Sequence, residues 1–286
     1  MSQHGGMTSA IPTPHLTLND GRTIPQLGLG VFLVDPAEAE RIVTDALEVG
    51  YRHIDTAMIY KNEEGVGRAI ANSGIPREEL FITTKLWNSD QGTDSARAAL
   101  DTSLEKLGLD YVDLYLIHWP APKYGKHVES WQTLVELRSS GKARSIGVSN
   151  FMQTHLDDLA QVSDVVPVVN QVELHPAFQQ RELRAFQEPR GTLTEAWGPL
   201  GQGKYELAEL PGLAEIAERH GKSVQQVAIR WHLQEGIIVF PKTIKRERMI
   251  ENAEVFDFEL SADEMATIAA SDRDQRVGAH PLNTDF

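Results

Sequence analysis

The sequence predicts an α/β fold: a single (β/α)8 TIM barrel over residues 15–286, with an N-terminal β-hairpin and extra helices, behind a flexible segment at residues 1–14. Three observations predict it. Eight short apolar strands alternate with helical stretches. No composition break or linker divides the 286 residues, a length that suits one barrel of roughly 250 residues. An open dinucleotide-binding sheet would need a Gly-rich turn after its first strand, and Gly28-Leu29-Gly30-Val31-Phe32-Leu33 lacks the third glycine and opens no helix.

The elements follow in order. Leu16–Leu18 and Thr23–Pro25 flank Asn19-Asp20-Gly21, a turn whose glycine supplies positive φ, and so form a hairpin. The eight strand candidates are Gln26–Gly30, His53–Ala57, Phe81–Leu86, Val112–Trp119, Ser145–Asn150, Val168–Leu174, Thr192–Trp197 and Ile237–Pro241. Between the first two, Asp35 caps a helix opened by Pro36-Ala37-Glu38 and closed by Gly50. Ala96, Ala99, Leu100, Ser103, Leu104 and Leu107 recur at helical spacing up to Gly108. Leu213–His220 and Val224–Leu233 are helical before the eighth strand, and Arg248–Val255 and Ala262–Ala270 are helical after it.

Composition narrows the function. There is no Cys, which excludes a disulfide scaffold, thiol catalysis and Cys-ligated metal. A formal net charge of −14 disfavours nucleic acid and anionic membranes. No apolar run approaches the roughly 20 residues of a membrane span, and residues 1–14 lack the basic-then-apolar pattern of a signal peptide. A cytoplasmic monomer without a metal, nucleic-acid or membrane partner is expected.

Barrel chemistry sits at the C-terminal ends of the strands. Those ends carry Asp55 with Tyr60 in the following loop, then Lys85, His118, Ser149-Asn150, Asn170, Gln171 and Glu173, Trp197, and Lys242-Thr243. Singly, a Lys there points to solvent, an Asp caps a helix and a His packs in the core. Asp55, Tyr60, Lys85 and His118, however, lie at the same end of three adjacent strands and can converge. A phenol of pKa about 10 is a poor acid at neutral pH. An adjacent ammonium, itself held by a carboxylate, would lower that pKa, and an imidazole would orient a carbonyl. Such a set donates a proton to a carbonyl oxygen and needs a hydride source.

Lys242 to Arg248 holds four cations in seven residues, where 27 Lys and Arg in 286 residues would put fewer than one. Cations at a helix N-terminus oppose the helix dipole, and a bound phosphate relieves the conflict. Lys242, Thr243 and Arg248 offer a point charge, a hydroxyl and a planar fork to a 2′-phosphate, which favours NADPH over NADH. Trp197 offers a face to a nicotinamide ring, and Ser149, Asn150 and Gln171 offer hydrogen bonds to its carboxamide.

The blocks "GYRHIDTAMIYKNEEGVG", "TTKLW", "LIHWP", "SIGVSNF", "NQVELHP" and "FPKTIKRERMIENAEVFDFEL" resemble the signatures of the aldo-keto reductases, from about residue 16 to 281. The resemblance implies a barrel that binds NADPH without a Gly-rich turn. It puts the family's tetrad on Asp55, Tyr60, Lys85 and His118, and the nicotinamide contacts on Ser149, Asn150, Gln171 and Trp197. Gly198 and Leu200 would follow along the cofactor, with Lys242, Thr243 and Arg248 at its phosphate and Glu251 and Asn252 at the adenine. Many relatives carry Tyr where Trp197 stands and Ser where Thr243 stands. "TEAWGPLGQGKYEL" resembles the bacterial 2,5-diketo-D-gluconate reductase branch.

Phe32, Trp87 and Trp119 are expected to wall the substrate pocket, with Ala279 or His280 approaching from the tail. The short connection after Pro120 suits small dicarbonyls or keto-sugar acids. Three further functions compete: a Schiff-base lyase on Lys85, a regulatory nucleotide-binding subunit without turnover, and a metal hydrolase on His53 and Asp55. Borohydride trapping, absence of turnover and metal dependence, respectively, would distinguish them.

Overall fold

The hairpin and the barrel floor are one structure. In the computed structural model, which describes residues 9–283, β1 (His15–Thr17) pairs antiparallel with β2 (Thr23–Pro25). Leu18 and Ile24 turn inward and share a buried cluster with Phe81, Leu114, Leu116, Val168, Val169, Ile238 and Phe240. His53 belongs to this layer. Its ring stands edge-on to Phe81 and Phe240 at 4.7 and 4.8 Å. Nδ1 contacts Pro25 O at 3.0 Å and Nε2 contacts Thr83 Oγ1 at 3.3 Å, so both ring nitrogens are engaged.

Above this floor stand β3 (Leu29–Gly30), β4 (His53–Asp55), β5 (Phe81–Leu86), β6 (Val112–Ile117), β7 (Ala143–Ser149), β8 (Val169–Glu173), β9 (Leu193–Trp197) and β10 (Ile238–Val239). They form a parallel sheet in chain order. It closes on itself: Leu27 bridges Val239 in parallel, Gly28 N donates to Val239 O at 3.0 Å, and Val239 N donates to Gln26 O at 2.9 Å. Closure needs glycine at 28, because a Cβ there would lie 2.8 Å from the Phe240 ring and 3.0 Å from His53. The fold is the (β/α)8 barrel. Every expected strand is present, several with shorter ends. His118 and Asn150 leave the ladder for the loops above it, though His118 N still donates to Leu86 O at 3.1 Å.

Around the sheet run α1 (Ala39–Val49), α2 (Glu63–Asn72), α3 (Asp94–Leu107), α4 (His127–Ser139), α5 (Gln153–Ala160), α6 (Arg181–Gln187), α7 (Leu213–His220), α8 (Val224–Gln234), α9 (Arg246–Ala253) and α10 (Ala262–Ala269). α3 buries all six expected positions and stops at Gly108. α1 begins later than expected. Asp35 does not cap it; its Oδ1 accepts from Ala37 N at 2.9 Å in a separate turn, a local competitor to helix. α9 begins two residues before Arg248. α2, α4, α5 and α6 were not singled out in the sequence; α2 carries two glycines, and α5 and α6 span only 8 and 7 residues.

Of the N-terminal segment, residues 1–8 lie outside the described residues. Ile11 N donates to Gly50 O at 3.0 Å and Gln26 N to Pro14 O at 2.9 Å.

Candidate active site

Period two along the strands sets the site one layer above the floor. On β4, Asp55 shares the face of His53; on β5, Lys85 shares the face of Thr83. Lys85 is fully buried. Its Nζ donates to Asp55 Oδ1 at 2.6 Å and to Thr56 O at 2.9 Å. After β4 a single tight turn, Met58–Tyr60, swings the phenol back over the strand end, with Tyr60 N donating to Ala57 O at 3.0 Å. Lys85 Nζ stands 5.3 Å from the centroid of the Tyr60 ring. The Tyr60 and His118 rings meet edge-on at 5.7 Å. The four expected residues are therefore gathered in one place.

Their electrostatics differ from the expectation in one respect. Burial, with the Asp55 charge adding to it, pushes the Tyr60 phenol well above its ordinary value. Two of the ammonium's three donors go to Asp55 and Thr56, and desolvation of the phenolate is the dominant effect on the phenol. His118 moves the other way: burial, then the Lys85 charge, holds its imidazole well below 6.5, so it is neutral. Its Nδ1 is buried without a hydrogen-bond partner among the described residues.

These groups open into a cavity of about 890 Å³ at the strand ends. Asp55, Tyr60 and His118 form part of its wall, as do Ser149, Asn150 and Gln171. Trp197, Gly198, Leu200 and Lys242 also line it, as do Phe32, Trp87, Trp119 and Ala279. His280 is exposed and not part of the wall. Asn150 is committed to the architecture: Nδ2 donates to His118 O and Ser149 Oγ, and Oδ1 accepts from Trp197 Nε1 at 2.8 Å, which fixes the indole plane. Thr243, Arg248, Glu251 and Asn252 lie beyond the wall, on the loop after β10 and on α9. Thr243 Oγ1 accepts from Lys245 N at 3.1 Å. Arg246 pairs with Asp45 and Glu48, whereas Lys242, Lys245 and Arg248 form no ion pair among the described residues. A cavity at the upper end of the ligand-site range, lined by an indole and by Lys242, with the unpaired cations Lys245 and Arg248 beyond its wall, fits a phosphorylated dinucleotide.

The model of the Aldo/keto reductase family matches residues 26–273. The chain belongs to that family. Among aldo-keto reductase relatives, a glyoxal reductase of Bacillus subtilis (strain 168) is 52% identical over 265 residues, 92% of this chain and 95% of that protein. Methylglyoxal reductase DkgA of Yersinia pestis is 50% identical over 268 residues, 94% and 96% of the two chains. A crystal structure of a Gox0644 variant in complex with NADPH superposes with a TM-score of 0.91 at 48% identity, covering 96% of this chain and 99% of that one. The chain is an NADPH-dependent aldo-keto reductase.

Of two buried acids of this aldo-keto reductase, Glu195 is not singled out in the sequence and Glu173 is singled out without its role. Glu195, on β9 two residues before Trp197, is fully buried, and its Oε2 accepts from Gln171 Nε2 at 2.9 Å. Burial, then Asp55, pushes its carboxyl up to about 8. The period-two partner of Trp197 was the signal that could have found it. Glu173, read as an interior residue, instead holds the C-terminal tail, accepting from Val277 N at 2.5 Å and Gly278 N at 2.9 Å. Asn170 faces outward and donates to Phe151 O and Gln187 Oε1.

Proposed function

We propose that this chain reduces the carbonyl of small dicarbonyls such as glyoxal or methylglyoxal, and of keto-sugar acids such as 2,5-diketo-D-gluconate, with Tyr60 as the general acid. The meeting of the Tyr60 and His118 rings above the Lys85–Asp55 pair, at the floor of a cavity bordered by Trp197, carries the proposal. Relatives named for glyoxal and methylglyoxal reduction support the first class, and the "TEAWGPLGQGKYEL" stretch supports the second.

NADPH, when bound, supplies hydride. Trp197 would offer its ring face to the nicotinamide, and Gln171, Ser149 and Asn150 would border the carboxamide. Gly198 and Leu200 would border the cofactor further along, Lys242, Thr243 and Arg248 would take the 2′-phosphate, and Glu251 and Asn252 would lie at the adenine. The neutral His118 imidazole donates a hydrogen bond to the substrate oxygen and orients it. Tyr60 hands its proton to that oxygen as negative charge develops. An elevated phenol pKa does not obstruct this step, because an alkoxide accepts protons about as strongly as hydroxide, the base of water at pKa roughly 15.7. Lys85, held in place by Asp55, offers the positive charge that stabilises the phenolate once the proton has left. Phe32, Trp87, Trp119 and Ala279 exclude water from the carbonyl. Lys85 is not a Schiff-base nucleophile here, since its Nζ is buried and doubly hydrogen-bonded. One chain suffices for all these roles, and a monomer is proposed.

A panel of carbonyl compounds followed by NADPH absorbance tests the substrate class; better turnover of steroid ketones than of dicarbonyls would refute it. Tyr60→Phe should lower kcat by about 10²–10⁴ and leave NADPH affinity, read by Trp fluorescence, nearly unchanged. A variant that keeps its rate would remove Tyr60 from the chemistry.

A further inference from the structure

One layer below Trp197, the side chain of Gln171 lies between two acids. Its single amide nitrogen donates to Asp55 Oδ2 at 2.8 Å and to Glu195 Oε2 at 2.9 Å. An amide nitrogen carries two hydrogens, so both are spent. Gln171 nevertheless forms part of the cavity wall, and what it has left to offer there is a carbonyl oxygen.

Glu195 has no cation of its own. The charged groups facing it are Asp55 on β4 and Lys85 on β5; its β10 neighbour in register is Ile238, and its β8 neighbour is Gln171 itself. Lys85 donates to Asp55 and Thr56 O, no ion pair of Glu195 occurs among the described residues, and Glu195 Oε1 is buried without a partner. A carboxylate so placed would be desolvated beside a like charge, which favours the neutral acid.

We propose that Glu195 is a positioning residue: its Oε2 joins Asp55 in accepting from the Gln171 amide and holding it in one flip, so that Gln171 Oε1 is presented to the cavity as an acceptor for the carboxamide N–H of the nicotinamide. This rests on NADPH binding as proposed above. The amide then recognises a donor on the ring substituent and gives nothing to a substituent that only accepts.

The experiment is equilibrium binding, without turnover, of NADP+, of its 3-acetylpyridine analogue, which has no N–H on that substituent, and of 2′,5′-ADP, which has no nicotinamide. The native protein is expected to prefer NADP+ over the analogue by about 10-fold, one hydrogen bond's worth. Glu195→Leu leaves Asp55 as the one acceptor for Gln171 and lets the amide turn about that bond, so that Oε1 loses its fixed aim; the preference falls to about 2-fold or less while 2′,5′-ADP stays within about 2-fold. Glu195→Gln, whose carbonyl oxygen accepts the same N–H, restores most of the preference. An unchanged preference in Glu195→Leu, equal weakening of all three ligands, or a Glu195→Gln that behaves like Glu195→Leu would each overturn the role of Glu195. Failure of the native protein to bind NADP+ and 2′,5′-ADP at all is a different result, and would overturn the cofactor site together with it.

Discussion

Tyr60 sits in surroundings that oppose its ionisation, and Glu195 in surroundings that oppose its own. For Glu195 this has a consequence for stability. In the fold its carboxyl stays protonated up to about 8, against 4.5 in the unfolded chain. Between those values the unfolded chain binds fewer protons, so stability falls as pH rises. The contribution is whole below about pH 4.5 and lost by about pH 8, on the order of a few kcal/mol. Glu195→Gln cannot ionise and should flatten this decline. Urea midpoints of both proteins across the window would show it, and parallel slopes would mean that Glu195 is ionised in the fold. Glu173 does not confuse the measurement. Burial works against its charge, but hydrogen bonds from His175, Val277 and Gly278 outweigh it and hold its pKa low, so its share is lost only at lower pH.

At the scale of the element, the turn after β10 and the start of α9 form an unusual helix entry. Lys245 is the N-cap residue and offers no side-chain acceptor; Lys242, Lys245 and Arg248 crowd a helix end where cations are disfavoured. Such an entry is better satisfied with an anion than without. Arg248→Ala should therefore weaken NADPH by about 10–100-fold, the range for a hydrogen bond to a charged group, and weaken NADH far less. Fluorescence titration of both cofactors checks this; an equal loss for the two would place the 2′-phosphate elsewhere.

Across the whole molecule, the last described residues are strapped back over the site. Arg273 N and Gln275 N donate to Ala177 O, Arg276 stacks on Phe178 at 4.6 Å, and Val277 and Gly278 donate to Glu173. Gly278 lies so close to the Trp197 ring that a Cβ would collide with it, and Ala279 next to it forms part of the cavity wall. Two backbone bonds to one buried carboxylate thus set the height of that wall. Glu173→Gln can accept only one of them well. Amide hydrogen exchange at Val277 and Gly278 should quicken by about 10–100-fold, with KM for the carbonyl rising more than the Kd for NADPH. Unchanged exchange would mean that the strap is held by its other contacts.

The chain's own text determined the barrel, because period two, period 3.6 and glycine stops are local properties: the six apolar positions of α3 and the eight strand runs could be read in order. It also put Asp55, Lys85 and His118 at the ends of neighbouring strands and Tyr60 one turn later, four residues that the fold brings together. Other features depended on through-space distance and desolvation. Asp35 looks like a cap in the sequence, and only the folded turn shows that it serves Ala37. Glu173 and Glu195 are the same letter two strand positions from other polar groups, yet one is ionised by the tail's N–H groups and the other is kept neutral for want of a cation. The phenol of Tyr60 was expected to be acidified by its lysine. The tertiary structure decides otherwise because burial acts on the charged form of a group whatever its neighbours in the chain, and burial is a property that no local stretch of sequence contains.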